Sequence, residues 1–410
     1  MTLREDAKYI IDAALKSAMP DTAVEKALRE FQIPKGKLVL VSAGKAAWQM
    51  AKTAVDILGD KITCGAVVTK YDHVKHELPH LECYEAGHPV PDDNSFKATE
   101  RVIELVKDLG EEDAVVFLLS GGGSALFEKP LVSGQELQDV TRQLLACGAD
   151  IVEMNTIRKR LSAVKGGKFA QICAPARVFS VVLSDIIGDP LDMIASGPAY
   201  PDASTSEEAV AIAEKYGLQL TGEMWELLKQ ETPKELTNVQ TQITGSVRQL
   251  CKSAEETCRS LGYAPVVLSA SLRCNARDAG SFLASIAQYH ADTRESLAFI
   301  CGGETVVRLT GKGKGGRNQE IALAAAEEIA GIPGAAVFSL GSDGTDGPTD
   351  AAGGYCDFET RQVLAEQGVS IPQVLQNNDA YHALEKCGGL LMTGPTGTNV
   401  NDVTVLLIKR

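Results

Sequence analysis

The sequence lacks the long apolar runs and the surplus of basic residues that mark two large classes of protein. No segment approaches the ~20 continuous apolar residues that a transmembrane helix needs, and the opening residues, Met1–Asp6, are too acidic and polar for a signal peptide. Its 40 Lys and Arg stand against 54 Asp and Glu, a formal net charge of −14, whereas a general nucleic-acid binder needs clustered positive charge. We therefore expect a cytoplasmic protein that binds neither a membrane nor nucleic acid.

Cysteine and histidine are also too scattered for the common metal and disulfide frameworks. The ten cysteines form no C-x-x-C pair, so neither a zinc site nor a disulfide framework is indicated. His73, His76 and His80 lie close together, but Pro79 and charged neighbours favour a surface loop. His88, held between a glycine and a proline, is the better candidate for a pocket residue. No Ser–His–Asp arrangement can be assembled from the remaining residues.

What the sequence does contain is an alternation of buried strands and amphipathic helices. Apolar runs at Lys37–Ser42, Ala114–Leu119 and Arg177–Ser184 predict strands of a parallel sheet, with helical segments between them. This alternation predicts a doubly wound α/β sheet. The polar stretch Glu231–Gln242 indicates a linker, and beyond it the pattern resumes, with a further strand predicted at Thr305–Thr310. We therefore predict two α/β domains, residues 1–238 and 239–410.

A glycine-rich turn follows the second of these strands. Gly121, Gly122 and Gly123, flanked by Ser120 and Ser124, allow a sharp turn and a close approach of the backbone to a ligand. Free N–H groups in such a turn favour an anion. The spacing is neither that of a Walker A loop nor the Rossmann G-x-G-x-x-G. The residues alone leave two interpretations open, an anion-binding turn and a tight turn that binds nothing.

A second glycine-rich segment carries three cations, Lys312, Lys314 and Arg317, just before the predicted helix Asn318–Ile329. Cations are disfavoured at a helix N-terminus unless an anion is present, and a phosphate chain would supply that anion. A solvated basic hairpin tip is the alternative. The glycines also satisfy G-x-G-x-x-G, but no acidic residue ends the next strand at the expected distance. A dinucleotide site is therefore the weaker interpretation.

Charged side chains follow three further predicted strands. Asp185 and Asp189 come directly after the strand that ends at Ser184, and Asp343 lies in a loop with three carboxylates in eight positions. Such oxygens suit Mg²⁺, which takes one or two protein carboxylates plus substrate phosphates, or accept a proton from a substrate hydroxyl. Turn-forming aspartates without a ligand are the alternative. Lys45, after the first strand, suits a carboxylate or phosphate, or is an exposed helix-start lysine.

Eight ordered motifs together resemble the class II glycerate 2-kinases. Four lie in the N-terminal half: AGKAA at 43–47, AGHPVPD at 86–92, SGGGSAL at 120–126 and LSDIIGDPLDMIASGP at 183–198. The other four resemble that family's C-terminal MOFRL domain: CGGETVV at 301–307, GKGGRNQE at 313–320, GSDGTDGPTDAAG at 341–353 and TGPTGTNVND at 393–402. The resemblance implies a Rossmann-like N-terminal domain, a MOFRL-type α/β domain, and an active site in the cleft between them.

The resemblance also implies a reaction, the ATP- and Mg²⁺-dependent phosphorylation of D-glycerate to 2-phosphoglycerate. It places the catalytic lysine and arginine at Lys45 and Arg317. We expect Asp189 to act as general base, and Asp185 and Asp343 to bind Mg²⁺. Predicted substrate- or phosphate-binding residues are Ser120, Gly121, Gly122, Gly123, Ser124 and His88. Predicted nucleotide-binding residues are Glu304, Gly313, Lys314, Gly315, Gly316 and Asn318.

Two other functions stay open at this point. Members of the family have often been labelled hydroxypyruvate reductases, and an NAD(P)H-dependent reductase would use the single G-x-G-x-x-G pattern. A non-catalytic sugar-phosphate sensor would need only the turn at Ser120–Ser124. The expected partners are D-glycerate and ATP, and a homodimer is the oligomeric state that we consider.

Overall fold

A computed structural model describes residues 2–410 and contains two compact units. The first unit comprises Ala23–Thr244. The second comprises Gly245–Arg410 together with the N-terminal segment that ends at Thr22, which includes the first helix, α1 (Leu3–Ser17). The predicted domains, 1–238 and 239–410, differ from this division in two ways. The boundary lies at Thr244, and the first helix belongs with the second half of the chain.

The first unit is built on a six-stranded sheet with the order β3-β2-β1-β4-β5-β6. Its strands are β1 (Leu38–Ala43), β2 (Cys64–Lys70), β3 (Leu81–Ala86), β4 (Ala114–Leu119), β5 (Arg177–Leu183) and β6 (Val239–Gly245). The pairs from β3 through β5 are all parallel. Its helices are α2 (Pro20–Leu28), α3 (Ala47–Leu58), α4 (Asp93–Val106), α5 (Gly123–Leu126), α6 (Gly134–Ala146), α7 (Ile151–Arg160), α8 (Lys168–Cys173), α9 (Ser206–Lys215) and α10 (Gly222–Leu228).

Both faces of this sheet are covered, as the continuous apolar runs predict. Val39 and Val41 of β1 pack into one core cluster, whereas Leu38 and Leu40 pack into another on the opposite face, because successive side chains of a strand point to opposite sides. The predicted doubly wound α/β sheet is therefore confirmed. In such a sheet the carboxyl ends of the parallel strands meet at one edge, and ligands bind there.

The second unit has a mixed six-stranded sheet with the order β11-β10-β9-β12-β8-β7. Its strands are β7 (Ala264–Leu272), β8 (Leu297–Gly303), β9 (Ala335–Gly341), β10 (Gly353–Asp357), β11 (Leu390–Leu391) and β12 (Asp402–Ile408). Its helices besides α1 are α11 (Val247–Ser260), α12 (Ala276–Tyr289), α13 (Arg317–Ile329), α14 (Thr360–Glu366), α15 (Ile371–Gln376) and α16 (Ala380–Lys386). Strand β12 is antiparallel to both β8 and β9.

The direction of β12 matters for the site. Because β12 runs against its two neighbours, its first residue, Asp402, pairs with the last residues of those strands, Gly303 and Gly341. The N-terminal end of β12 therefore lies at the same sheet edge as the carboxyl ends of β8 and β9. Among residues 2–410 no helix is long and apolar enough to cross a membrane.

Two elements differ from the prediction for physical reasons. The predicted strand Thr305–Thr310 is wrong: apart from a single bridge between Val306 and Asn275 the segment is irregular. The predicted linker Glu231–Gln242 contains the start of β6, because a half-buried strand at a sheet edge is polar enough to read as a linker.

Candidate active site

The turns after β1 and β4 are joined by hydrogen bonds. The backbone N–H of Lys45 donates to the carbonyl oxygen of Gly121 at 2.9 Å, and the N–H of Ser120 donates to the carbonyl of Ala43 at 3.0 Å. The hydroxyl oxygen of Ser120 accepts the N–H of Ala46 at 3.0 Å. Since β1 and β4 are neighbouring parallel strands, Lys45 is held directly beside the glycine-rich turn.

His88, from the loop after β3, approaches the same turn. Gly122 has a positive φ of +85°, and a Cβ added there would lie 3.1 Å from both Nε2 of His88 and Cγ of Lys45. A residue without a side chain is therefore needed for the two side chains to come this close to the backbone. Burial, together with the charges of Lys45 and Lys70, lowers the pKa of His88. The neutral imidazole is favoured at this position.

Two carboxylates follow strand β5, and one of them, Asp185, contacts the glycine-rich turn. A Cβ on Gly121 would lie 2.2 Å from Oδ2 of Asp185, so the carboxylate is packed against the glycine backbone. Asp189 has a positive φ of 53°, and its Oδ1 is buried without a hydrogen-bond partner among residues 2–410. Unpaired buried polar atoms are rare in native proteins and often belong to functional sites. The structure thus brings Lys45, His88 and Asp185 together at the glycine-rich turn.

Ser124 takes part through its backbone. Its carbonyl oxygen accepts hydrogen bonds from Arg158 and Lys165 at 3.0 and 2.9 Å. The sequence analysis missed both cations. A signal was present in the run Arg158–Arg160, since three consecutive cations in a helix are unusual in a chain of this negative charge.

Arg317, at the start of α13, is held by a second group of carboxylates. Its Nε and Nη2 donate to the two oxygens of Asp402 at 2.5 and 2.9 Å, and its Nη1 lies 3.4 Å from Oε1 of Glu304. The hydrogen bonds with Asp402 hold the pKa of the guanidinium above its usual value. Burial raises the pKa of Asp402. The sequence analysis missed Asp402, although the motif at 393–402 ends on it.

The N-terminus of α13 is capped by Asp346. The N–H groups of Asn318 and Gln319 donate to its Oδ1 and Oδ2 at 3.1 and 2.9 Å. Asp346 is only 2% exposed, and burial raises its pKa to about 6. Asp346 and Asp402 already supply negative charge at this helix end, so Arg317 needs no phosphate to offset it. Phosphate binding by this loop stays a prediction.

The basic glycine loop is bound by the chain itself. The N–H groups of Gly313 and Lys314 donate to the carbonyl of Asn377 and to Oδ1 of Asp379 at 2.8 and 2.9 Å. The ammonium of Lys314 lies 3.8 Å from the centre of the Tyr381 ring. Free amides at these two positions, as the sequence argument assumed, are not found. A nucleotide-binding role for them stays a prediction.

The other predicted nucleotide-binding residues differ in how far they are exposed to solvent. Asn318 is fully buried, and its side chain accepts the hydroxyl of Ser339 at 2.5 Å and donates to Asp346 at 3.4 Å. Its side chain therefore joins α13 to β9. Glu304, in contrast, is half exposed beside Arg317. Gly315 and Gly316 lead directly into α13, and a Cβ on Gly316 would overlap the Asp346 carboxylate.

The predicted metal ligands lie in different units, Asp185 in the first and Asp343 in the second. Across residues 2–410 no group of three or more His, Cys, Asp or Glu side chains is arranged to hold a metal ion. A Cβ on Gly341 would lie 3.3 Å from Oδ1 of Asp343 and 3.4 Å from Oδ1 of Asp402, so two carboxylates approach one strand end. Both oxygens of Asp402 are bound by Arg317, so Asp343 is the carboxylate of this strand end that fits Mg²⁺, which needs few protein ligands when it binds with phosphates.

Comparison with known proteins agrees with these observations. A family model described as a domain of unknown function (DUF4147) matches residues 6–229, and the MOFRL family model matches residues 297–402. The chain is 50% identical to a D-glycerate 2-kinase of Thermotoga maritima, with 99% of both chains covered. It is 39% identical to a glycerate 2-kinase of Pyrococcus horikoshii, covering 100% of this chain and 98% of that one.

The fold agrees as well. A crystal structure of glycerate kinase from Thermotoga maritima superposes with a TM-score of 0.94 at 49% identity, over 99% of each chain. The predicted resemblance is therefore confirmed over the whole length. The first family model spans more than half of the chain, and both relatives are matched almost end to end. On these grounds the chain belongs to the glycerate 2-kinase family.

Proposed function

We propose that this glycerate 2-kinase transfers the γ-phosphoryl group of ATP to the 2-hydroxyl of D-glycerate, with Lys45 at the centre of the site. The observation that carries the proposal is the joined pair of turns that holds Lys45 beside Gly121 and Gly122, within reach of His88. Phosphoryl transfer depends mainly on positioning and on neutralising charge at the phosphoryl oxygens. A fixed lysine beside a glycine-rich turn supplies both.

Arg317 is the second cation of the proposal. Asp402 fixes the plane of its guanidinium through two hydrogen bonds, and a fixed planar fork is suited to phosphate or carboxylate oxygens. Lys45 belongs to the first unit and Arg317 to the second, and we propose that both serve the same transfer. The predicted location of the active site in the cleft between the domains stays a prediction.

Asp189 is the proposed general base. Its buried Oδ1 has no hydrogen-bond partner in residues 2–410, so that oxygen is free to accept the proton of the 2-hydroxyl as the bond to phosphorus forms. Asp185 and Asp343 are the residues that we propose to hold Mg²⁺, which, bound with ATP, neutralises phosphate charge. The cytoplasmic location and the homodimer stay predictions.

The first experiment separates this function from its rivals. Purified protein is supplied with D-glycerate, ATP and Mg²⁺ and followed for ADP release, and in parallel with hydroxypyruvate and NADH. We expect glycerate-dependent ADP release and no NADH oxidation. NADH oxidation would favour the reductase, and D-glycerate binding without turnover would favour the sensor. The structure gives the reductase little support, because the loop that carries the G-x-G-x-x-G pattern is hydrogen-bonded to residues 377–379.

The second experiment tests the cations. Lys45→Ala is expected to lower kcat at least ~10²-fold, as removal of a group that stabilises transition-state charge does. Lys52→Ala, on the next helix and paired with Asp56 at the surface, is the matched control and should keep the wild-type rate. Arg317→Lys is preferred to Arg317→Ala, because it keeps a charge beside buried Asp402 while losing the planar fork. Near-normal turnover in Lys45→Ala would overturn the assignment.

A further inference from the structure

Two cations converge on one carbonyl oxygen at the end of the glycine-rich turn. Nη2 of Arg158 donates to the carbonyl of Ser124 at 3.0 Å, and Nζ of Lys165 donates to the same oxygen at 2.9 Å. Lys165 also donates to the carbonyl of Phe127 at 3.3 Å. Both carbonyls belong to or directly follow α5, the single helical turn that begins at Gly123. The far end of the turn is therefore held by three charge-assisted hydrogen bonds from two cations.

Lys165 is placed there at a considerable cost. Its side chain is fully buried, and its nearest carboxylate, Oε2 of the equally buried Glu128, lies 3.3 Å away. Burial lowers the pKa of Lys165 to about 8. A buried lysine and glutamate stabilise a protein no better than an apolar pair of the same volume. Simple packing therefore does not explain why a cation is directed at the Ser124 carbonyl.

The length of α5 explains what the cations do. A single helical turn has no stability of its own, so its orientation depends on the groups that hold its two ends. At one end the turn is tied to β1 through Lys45 and Gly121. At the other end the last carbonyls are bound by Arg158 and Lys165. These two anchors together fix the direction of the N–H group of Gly122, while the N–H of Gly123 donates within the turn to the carbonyl of Ser120 at 3.4 Å.

Arg158 also borders the loop that carries His88. It lines a cavity of about 300 Å³ together with Pro89, Val90 and Pro91, the residues that directly follow His88. Its Nε is buried and has no hydrogen-bond partner among residues 2–410. One side chain therefore binds the end of the glycine-rich turn and shares a cavity with the loop that supplies the imidazole.

We propose that Arg158 and Lys165 are positioning residues of the kinase, which hold the Ser124 carbonyl so that the amides of the glycine-rich turn face the anionic group of the bound substrate. The proposal rests on the function proposed above for this turn. Neither residue touches the reacting atoms in this role; each acts through the backbone of α5.

The structure offers a matched control in Lys168. This lysine is also largely buried, its pKa is also lowered to about 8 by burial, and it also donates to carbonyls at a helix end. Those carbonyls belong to Lys159 and Ser162, at the end of α7, and not to the turn. Lys168→Met therefore removes a comparable structural interaction without touching α5.

The variants are Arg158→Met, its conservative partner Arg158→Lys, and the double variant Glu128→Gln/Lys165→Met, which removes both members of the buried pair so that no uncompensated charge remains. We expect Arg158→Met and the double variant to lower kcat/KM about 10²-fold, since small misplacements of binding groups have effects of that size. Arg158→Lys should recover most of the loss, and Lys168→Met should stay within about twofold of wild type.

Hydrogen exchange gives a second readout. The amides of residues 121–126 should exchange faster in Arg158→Met and in the double variant, and at the wild-type rate in Lys168→Met. Equal losses of activity in all the variants, in proportion to their losses of thermal stability, would show a structural role and overturn the proposal. So would wild-type kcat/KM in both Arg158→Met and the double variant. If the wild-type protein itself releases no ADP with D-glycerate, the proposed function fails instead, which is a separate result.

Discussion

At the scale of single residues, Asp346 is a buried carboxylate whose ionisation is opposed by its burial. It caps α13 by accepting two N–H groups, yet burial raises its pKa from 3.8 to about 6. A folded pKa above the unfolded value means that the folded protein binds the proton more tightly. The contribution of Asp346 to stability is therefore present at low pH and falls as the pH rises from about 4 to about 6.

Asp346→Asn tests this sign. The difference in pKa corresponds to about 3 kcal/mol, so the stability of wild type relative to Asp346→Asn should fall by about that amount between pH 4 and pH 7. Urea unfolding at several pH values measures it. Asp350→Asn is the opposite control, because hydrogen bonding with Tyr381 lowers the pKa of that exposed carboxyl. A stability difference for Asp346→Asn that does not change with pH would contradict the prediction.

The same scale shows what a sequence reveals about a site. Lys45 and Arg317 could be selected as candidate site residues because cations beside glycines at a strand or helix end have few structural uses. The residues that bind these cations in the structure could not be predicted in this way. Asp402 meets Arg317 only because β12 runs antiparallel to β8 and β9, and neither strand direction nor register is written in the local residue pattern. Asp346 lies in the same acidic loop as Asp343, and its capping role could not be predicted without the position of α13.

At the scale of elements, the turn between β4 and α5 depends on Gly122. Its φ is +85°, and a Cβ there would crowd both His88 and Lys45 at 3.1 Å. Gly122→Ala should therefore lose activity beyond its effect on stability, because the side chains of Lys45 and His88 must move. Gly148→Ala is the matched control: Gly148 has a φ of +75° and open space around the added Cβ. Both variants should lose about 1–2 kcal/mol of stability.

Steady-state kinetics and thermal unfolding of the two variants distinguish these effects. We expect similar decreases in Tm, with a decrease in kcat/KM only for Gly122→Ala. Equal activity in the two variants would show that the turn tolerates a displaced Lys45, and the proposed role of that lysine would lose support.

Helices and strands could be predicted from the sequence where the local pattern of apolar residues was sufficient to identify them. The buried runs of β1, β4 and β5 needed no tertiary information, because short, mostly apolar runs between helices fit a covered parallel strand. The segment 305–310 failed for the opposite reason. Its apolar and β-branched residues resemble a strand, yet Val306 and Leu309 are strongly exposed, at 62% and 79%. The chain there is held by Asn378, whose Oδ1 accepts the N–H groups of Thr310 and Gly311 at 2.7 and 2.8 Å.

At the scale of the whole molecule, the second unit is discontinuous in sequence. Helix α1 buries Ile10, Ile11 and Leu15 in the same core cluster as the strands of the second sheet. Asp6 accepts hydrogen bonds from Tyr263 at 2.7 Å and from Lys409 at 2.6 Å. The amphipathic pattern of α1 predicts a helix with one buried face. It does not say which sheet that face covers, and this is why the domain prediction assigned α1 to the first half.

The placement of α1 predicts which of the two units a mutation in this helix destabilises. Ile10→Ala should destabilise the second unit by about 2–5 kcal/mol, the usual effect of truncating a fully buried isoleucine. Tyr9→Ala, on the same helix but 55% exposed, should change stability by no more than about 0.5 kcal/mol.

Hydrogen exchange locates the effect of the mutation. Amides of α11 and β12, which pack in the same core cluster as α1, should lose protection in Ile10→Ala. Those of β1 and β4, which belong to other core clusters, should keep theirs. Loss of protection at β1 and β4 with α11 unchanged would place α1 with the first sheet.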